Sequence, residues 1–293
     1  MKKVGWIGTG RMGGRMSARL MDAGYPLFIC DTNPDNTKEL QKKGAAVLGS
    51  AEDVTKSVDI VFSMLPSQYV LKDVAFGDAG VIKALDQTKI FVDMSTVDPK
   101  TTAEISDAVE QKQSSFLRAP VSGSTAFAEQ GTLKVLASGN KDAYETVLPL
   151  FKVLSDKQYY LGGGDEGHYA KIAVNMLLIS YLQSLSEALV FGEKTGLDWQ
   201  TLIDIIGDSA AAAPIVNYKK ETLKNRDFTP MSTINTAVKD IGFAIDIGQE
   251  KDIPLPTAAI SAQFLAGMKS SGRGELDLSA VLLAVEELCG IKH

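Results

Sequence analysis

The stretch Val4-Gly5-Trp6-Ile7-Gly8-Thr9-Gly10-Arg11-Met12-Gly13 decides the fold of this chain. A short, mostly apolar run leads directly into a Gly-x-Gly-x-x-Gly loop, and helix-forming residues follow that loop as far as Ala23. In such a context the first glycine allows a tight turn, the second lets a pyrophosphate approach the backbone, and the third lets the helix pack on the sheet. The free N–H groups and the dipole at the start of the helix favour phosphate. The stretch therefore predicts a dinucleotide-binding site formed by Gly8, Gly10, Arg11, Met12 and Gly13.

Outward from this loop, short apolar runs alternate with helix-like stretches as far as about Gly163. Near-continuous apolar runs are typical of parallel strands that are covered on both faces. The predicted strands are Val4–Ile7, Leu27–Cys30, Ile60–Met64, Ile90–Asp93, Phe116–Ala119, Leu133–Ala137 and Gln158–Leu161. The predicted helices between them include Met12–Ala23, Pro34–Lys43, Pro99–Lys112 and Lys141–Leu154. This α/β alternation predicts a doubly wound, Rossmann-type domain over residues 1–163.

The triplet Gly162-Gly163-Gly164 marks a change of pattern. Beyond it helical patterns continue to about Gly290, which predicts an all-α domain over residues 164–293. The first of its helices, from about Gly167 to Thr195, is apolar around most of its circumference. Such a helix is usually buried between domains or subunits, so we expect a homodimer or homotetramer.

Composition excludes several classes of function. With 45% apolar and 23% charged residues the chain can bury a sizeable core, which excludes disorder. It has 36 acidic and 30 basic residues, a formal net charge of −6 that argues against nucleic acid as a partner. The chain has two cysteines, Cys30 and Cys289, and two histidines, His168 and His293. These are too few to predict a disulfide scaffold or a zinc cluster.

A cytoplasmic location with no membrane contact is also expected. The most apolar stretch, from Ile172 to Phe191, contains Asn175, Gln183, Glu187 and three serines, and this is too polar for a membrane span. The sequence Met1-Lys2-Lys3 leads into the first strand at once, which does not fit a signal peptide.

Asp31 ends the second predicted strand, eighteen residues after Gly13. A carboxylate at this place can accept hydrogen bonds from the hydroxyls of an adenosine ribose, and it repels a 2′-phosphate. The alternative is a structural role, because Asp31-Thr32-Asn33-Pro34 is also a typical helix start. The sequence favours NAD as the cofactor and leaves NADP as an alternative.

Two further turns lie where the carboxyl ends of strands meet the ligand crevice of a doubly wound sheet. They are Met64-Leu65-Pro66-Ser67 and Asp93-Met94-Ser95-Thr96. Taken alone, each is equally well explained as a strand-to-helix turn with Ser or Thr as the N-cap.

Lys171 is the strongest candidate for a catalytic group. It lies on the long apolar helix four residues before Asn175, so both side chains share one face of the helix. A lysine within an apolar helix is desolvated, which lowers its pKa and makes proton exchange near neutral pH feasible. The alternative is a surface lysine on an exposed first turn, whose stem packs along apolar neighbours.

Taken together, these motifs resemble the β-hydroxyacid dehydrogenase family, which includes 3-hydroxyisobutyrate dehydrogenases, tartronate semialdehyde reductases and glyoxylate/succinic semialdehyde reductases. The resemblance covers nearly the full length and includes a C-terminal domain similar to that of 6-phosphogluconate dehydrogenase. It rests on the order and spacing of Gly8–Gly13, Asp93–Thr96, Ala119-Pro120-Val121-Ser122-Gly123, Gly167-x-x-x-Lys171-x-x-x-Asn175 and Lys239-Asp240.

The resemblance implies a role for each matching residue. Lys171 is implied to be the proton donor and acceptor at the reacting oxygen, and Ser122 and Gly123 to bind the acid group of the substrate. Asn175 is implied to hold substrate and lysine, and Lys239 to reach both the substrate and the cofactor. Leu65, Pro66 and Thr96 are implied to line the nicotinamide side. The expected reaction is hydride transfer between NAD(P) and a small β- or γ-hydroxyacid or its semialdehyde.

Departures from the family pattern put the identity of the substrate in doubt. Arg118 stands where relatives carry a carboxylate, and the segment Ala210–Ala213 replaces a more polar stretch of the hydroxyisobutyrate enzymes. Two alternatives are an imine reductase and a non-catalytic cofactor-binding module. Both generally lack the lysine, so Lys171 counts against them.

Overall fold

A computed structural model describes residues 2–291. Contacts group the chain into two compact units that divide between Lys171 and Ile172. The division lies within the helix Glu166–Lys194. The domain boundary predicted after residue 163 lies just before this helix and stays a prediction.

The first unit is built on a sheet of nine strands within the described residues, in the order β3-β2-β1-β4-β5-β6-β8-β7, with β9 paired to β8. The strands are β1 Val4–Ile7, β2 Leu27–Cys30, β3 Ala46–Val47, β4 Ile60–Ser63, β5 Ile90–Asp93, β6 Ser115–Arg118, β7 Val121–Ser122, β8 Leu133–Gly139 and β9 Ser155–Tyr160. All neighbours from β3 to β6 are parallel. This is the strand order of a Rossmann-type domain, as the sequence predicted.

Eight α-helices connect these strands within the described part of the unit. They are α1 Gly13–Asp22, α2 Lys38–Lys42, α3 Ala51–Ser57, α4 Gln68–Phe76, α5 Val81–Ala84, α6 Pro99–Gln111, α7 Thr125–Gln130 and α8 Lys141–Leu154. Two apolar clusters cover the two faces of the sheet. On β4, Ile60 and Phe62 belong to one cluster and Val61 to the other, which is why this strand is apolar at consecutive positions.

The far end of the sheet differs from the prediction. Strand β8 is antiparallel to β6 and β7 and parallel to β9. Only the short helix α7 separates β7 from β8, and a parallel crossover needs a dozen or more residues, so the chain returns antiparallel. The two-residue strands β3 and β7 were not predicted because they are too short for an apolar pattern.

The predicted helix Pro34–Lys43 is broken into a 3₁₀ turn, Pro34–Thr37, followed by α2. The Asn33 side chain accepts a hydrogen bond from Asp35 N at 3.0 Å, and the Thr37 hydroxyl donates to Pro34 O at 2.9 Å. Such local side-chain bonds compete with the regular helical pattern, which explains the tighter first turn.

The regular structure of the second unit is helical within its described residues, apart from an isolated β-bridge between Thr233 and Asp277. The helices are α9 Glu166–Lys194, which begins in the first unit, α10 Trp199–Asp208, α11 Pro214–Lys224, α12 Ile234–Glu250, α13 Pro256–Met268 and α14 Val281–Leu288. Their apolar faces form one core that includes Leu182, Leu189 and Leu282. A buried ion pair, Lys219 Nζ to Asp277 Oδ1 at 2.6 Å, joins α11 to the turn before α14.

Helix α9 is the one helix among the described residues that is long and apolar enough to cross a membrane, judged by length and composition alone. Within its most apolar window 39% of the residues are buried inside the chain. The core helix of a soluble protein meets the same criteria, so this property is weak evidence for a membrane span.

Candidate functional site

The glycine loop between β1 and α1 combines two tight contacts with one open position. Gly8 has a φ of +86°, and a Cβ on Gly13 would lie 2.0 Å from Gly8 O and 2.8 Å from Trp6 Nε1. A Cβ on Gly10 would meet only Asn36 Nδ2, at 4.0 Å. Gly8 and Gly13 are therefore required by the turn and by packing, whereas the space beside Gly10 is open to a ligand.

The first turn of α1 suits an anion. Among the described residues no side chain caps this helix at Met12, and its first turn contains no acidic residue. Arg11 is exposed at the loop, and Arg15 Nη1 donates to Arg11 O at 2.6 Å. Because the helix start also has a positive dipole end, a pyrophosphate fits this loop. The residues present are thus those that would hold a dinucleotide cofactor.

Asp31 anchors the loops at the end of β2. Its Oδ2 accepts hydrogen bonds from Thr9 N at 2.7 Å and Thr9 Oγ1 at 3.2 Å. Its Oδ1 accepts from Asn33 N at 2.8 Å and Asn36 Nδ2 at 3.1 Å. A carboxylate offers about four acceptor positions, and these four hydrogen bonds from the chain use them. Asp31 therefore has the structural role that was the alternative, and its role at the ribose stays a prediction.

A buried polar cluster shapes the carboxyl ends of β4 and β5. Asp93 Oδ1 accepts hydrogen bonds from Ser63 Oγ and Ser95 Oγ, both at 2.6 Å, and all three residues are fully buried. Ser95 Oγ in turn accepts from Leu65 N at 2.9 Å. The cluster thus fixes the two turns that carry the predicted nicotinamide-side residues Leu65, Pro66 and Thr96.

The predicted acid-binding segment lies on β7. Ser122 pairs with Lys134 of β8 in the antiparallel register, and Gly123 follows it with a φ of +134°. A Cβ on Gly123 would lie 2.8 Å from Leu133 Cδ2, so a larger residue would be strained at this position for two reasons. The exposed Gly123 backbone is left accessible at the surface of the unit.

Lys171 is buried, with 8% of its surface exposed, and it belongs to the first unit. The alternative of a surface lysine on an exposed turn is therefore wrong. The start of α9 lies against β8, where Gly167 N donates to Ser138 Oγ at 3.0 Å. A Cβ on Gly167 would lie 2.4 Å from Leu136 O, so glycine is what allows the helix to approach β8 so closely.

In the second unit a single carboxylate holds two of the predicted substrate-binding residues. Asn175 Nδ2 donates to Asp240 Oδ2 at 2.7 Å, and Lys239 Nζ lies 3.3 Å from Asp240 Oδ1. Asp240 is 4% exposed. Sequence reasoning missed this role of Asp240, although the motif Lys239-Asp240 contained the signal.

Arg118, the departure at the end of β6, is buried with 4% of its surface exposed. Its Nε lies 2.6 Å from Asp165 Oδ1, and its guanidinium also contacts Thr102. Burial lowers the pKa of the guanidinium, and the nearby carboxylates of Asp165 and Glu166 oppose that shift. The guanidinium is thus committed to contacts inside the unit, which sequence reasoning did not foresee.

The alanine-rich segment of the second unit also has a defined position. The segment Ala210–Ala213 is held by Tyr181, whose hydroxyl donates to Ala211 O at 2.8 Å and accepts from Ala213 N at 3.2 Å. Within residues 2–291 no group of three His, Cys, Asp or Glu side chains could hold a metal ion. His293 lies outside the described residues.

Comparisons with known proteins agree with these features. A family model for the NAD-binding domain of 6-phosphogluconate dehydrogenase matches residues 3–162. A second model, for the NAD-binding domain of NADP-dependent 3-hydroxyisobutyrate dehydrogenase, matches residues 165–285.

Two curated relatives and one solved structure match over nearly their whole length. Glyoxylate/succinic semialdehyde reductase 1 of Arabidopsis thaliana is 34% identical, over 97% of this chain and 98% of the relative. 2-(Hydroxymethyl)glutarate dehydrogenase of Eubacterium barkeri is 32% identical, over 99% of this chain and 96% of the relative. The crystal structure of 3-hydroxyisobutyrate dehydrogenase from Salmonella typhimurium has a TM-score of 0.88 at 25% identity, over 96% of this chain and 99% of that one. The chain therefore belongs to the β-hydroxyacid dehydrogenase family of NAD(P)-dependent oxidoreductases.

Proposed function

We propose that this protein interconverts a small β- or γ-hydroxyacid and its semialdehyde, with Lys171 as the general acid and base. The observation that carries this proposal is the buried position of Lys171 on α9, in the same unit as the glycine loop and the Ser122–Gly123 segment. A buried amine is one of the few side chains that can both give and take a proton at a substrate oxygen.

A nicotinamide cofactor held at the Gly8–Gly13 loop would supply the hydride that reduces the carbonyl carbon. Lys171 gives a proton to the carbonyl oxygen as that oxygen becomes a hydroxyl. In the direction of oxidation the neutral amine of Lys171 takes the hydroxyl proton. Ser122 and Gly123 are the proposed donors to the substrate's carboxylate. Within the second unit Asp240 holds Asn175 and Lys239, to which the family resemblance gives a role in substrate binding.

The relatives support this substrate class. The names glyoxylate/succinic semialdehyde reductase and 2-(hydroxymethyl)glutarate dehydrogenase both describe substrates with a carboxylate and an aldehyde or hydroxymethyl group. One arrangement of acid-binding donors and a proton-transferring amine suits both.

NAD is the proposed cofactor in preference to NADP. The support is the charge of Asp31 at the end of β2, which would oppose the 2′-phosphate of NADP. Since the chain already donates four hydrogen bonds to this carboxylate, the preference rests on charge more than on new bonds to the ribose.

We also propose a cytoplasmic homodimer or homotetramer that contacts neither membrane nor nucleic acid. The support is the exposed part of α9, where Leu177 and Phe191 are each 70% exposed and Val174 is 44% exposed. A second copy of the chain would cover these side chains, and light scattering of the purified protein tests this directly. A monomeric mass would contradict it.

The function itself is tested by following the near-ultraviolet absorbance of the reduced cofactor with a panel of aldehydes and imines. We expect consumption of the cofactor with succinic or tartronate semialdehyde and none with cyclic imines. Turnover restricted to imines, or none with any semialdehyde, would contradict the proposal.

A further inference from the structure

Arg118, which is buried, and Asp165, which is partly exposed, form an ion pair that the chemistry described above does not use. The Nε–Oδ1 distance is 2.6 Å, and the two side chains are 5% and 22% exposed. Arg118 Nη2 also donates to Thr102 O at 3.3 Å, and the guanidinium lies 5.3 Å from the centre of the Phe116 ring. A buried charge is tolerated only when it is paired and hydrogen-bonded, so these contacts hold the guanidinium in one place.

Asp165 immediately precedes α9, which begins at Glu166. Its carbonyl accepts the first helical hydrogen bond, from Tyr169 N at 3.1 Å, while its carboxylate bonds to Arg118. Two residues later Gly167 N donates to Ser138 Oγ on β8. The first turn of the helix is therefore attached to the sheet at two points, at the end of β6 and near the end of β8.

The same ion pair lies close in sequence to both groups of residues that the proposed reaction needs. Arg118 comes four residues before Ser122, and Asp165 comes six residues before Lys171. At about 1.5 Å of rise per helical residue, Lys171 lies roughly 9 Å from Asp165 along the axis of α9. A displacement of the helix start would thus move the amine with it, because an α-helix transmits such a shift as a rigid element.

We propose that the Arg118–Asp165 ion pair is a positioning device that sets Lys171 relative to the Ser122–Gly123 segment. This inference rests on the proposed function. The resemblance to the family marks Arg118 as a departure, a guanidinium in place of the usual carboxylate. Neither residue is proposed to touch the substrate or the cofactor.

The test is Arg118→Gln, assayed with the best semialdehyde substrate. We expect kcat to fall about 10- to 100-fold, since a displacement near 1 Å can cost about 100-fold in rate. The dissociation constant of the cofactor should stay within about twofold of the wild-type value, because the glycine loop is untouched. A folded Arg118→Gln variant with unchanged kcat would overturn the inference.

A double substitution separates positioning from a general loss of structure. If Arg118 acts through Lys171, then Arg118→Gln should not lower the residual rate further in a Lys171→Met background. The same fold-loss in both backgrounds would contradict the positioning role. If Arg118→Gln does not fold, Asp165→Asn makes the same test, since it removes the carboxylate charge at the more exposed partner.

Arg226→Gln is the matched control, because it breaks another arginine–carboxylate pair, Arg226 Nη2 to Glu286 Oε2 at 2.6 Å, in the second unit. It should lower the melting temperature without changing kcat.

Failure of the proposed function is recognised separately: Lys171→Met would then retain the wild-type rate. A slow Lys171→Met with a fully active Arg118→Gln overturns the positioning role alone.

Discussion

The substitution Gly10→Ala should weaken cofactor binding and leave the fold intact. A Cβ at this position would have no protein atom nearer than Asn36 Nδ2 at 4.0 Å, and the φ of Gly10 lies outside the left-handed region. The folded chain can therefore accept alanine, and a small stabilisation of about 0.4–1 kcal/mol is expected from the less flexible unfolded chain. A pyrophosphate that approaches the Gly10 backbone, however, meets the new methyl group.

The expected loss of affinity follows from that geometry. The methyl carbon extends roughly 1.5 Å beyond Cα, so the phosphates must shift and lose about one charge-assisted hydrogen bond, worth about 1.5–3 kcal/mol. The dissociation constant of NADH should therefore rise about 10- to 100-fold, which is about 1.4–2.7 kcal/mol. Fluorescence or calorimetric titration of the purified variant measures this value, and a thermal melt measures its stability.

Gly13→Ala is the matched control in the same loop. Its Cβ would lie 2.0 Å from Gly8 O, so backbone must move, and such overpacking typically costs about 1–3 kcal/mol or more. This variant should melt several degrees lower even without cofactor, whereas Gly10→Ala should not. Wild-type affinity for NADH in Gly10→Ala would refute the assignment of the open position to the pyrophosphate.

Three further predictions concern other parts of the chain. Because the Asp31 carboxylate opposes a 2′-phosphate, kcat/KM should favour NADH over NADPH by at least about tenfold, and steady-state kinetics showing an NADPH preference would contradict this. Burial raises the pKa of Asp277, but the ion pair with Lys219 and hydrogen bonds from Ser279 outweigh burial, so the pKa is lowered. The contribution of this carboxylate to stability is therefore present above the pKa of an unfolded carboxyl group. It is lost as the pH falls through the lower pKa of the folded state. Acid unfolding followed by circular dichroism should therefore lose the part of its pH dependence below about pH 4 that comes from this one carboxyl in Asp277→Asn, and an unchanged profile would exclude that contribution. Burial, with nearby carboxylates, raises the pKa of the Cys30 thiol to about 12, so a thiol reagent at neutral pH should label only the exposed Cys289 in the native protein, and labelling of both would contradict the buried position.

Local patterns predicted the regular part of the fold. Strand β1, the glycine loop and helix α1 share one short stretch, and the periodicity of Lys141–Leu154 matches helix α8 at both ends. These elements were predictable because their apolar spacing and end signals lie within the element itself. Strand β9 was predicted only in part, since it begins at Ser155 with polar, largely exposed residues that carry no apolar pattern.

Contacts between residues far apart in sequence were not predictable. Arg118 was recognised as a departure, but its partner Asp165 lies beyond three further strands and two helices, and no local pattern records the pairing. Asp240 was visible beside Lys239, yet its bond to Asn175 spans 65 residues. The contacts made by these carboxylates were thus the part of the candidate site that only the three-dimensional structure shows.

Replacement of Lys171 by methionine tests the central claim most directly. Methionine keeps most of the aliphatic volume of the buried side chain and removes only the amine, so the fold and the cofactor affinity should be retained. The measurement is kcat with the best semialdehyde at saturating cofactor, alongside the dissociation constant of NADH. We predict that kcat falls about 10²- to 10⁴-fold, the usual contribution of a general acid and base, while the affinity for NADH stays within about twofold. A folded Lys171→Met variant with wild-type kcat would contradict the account.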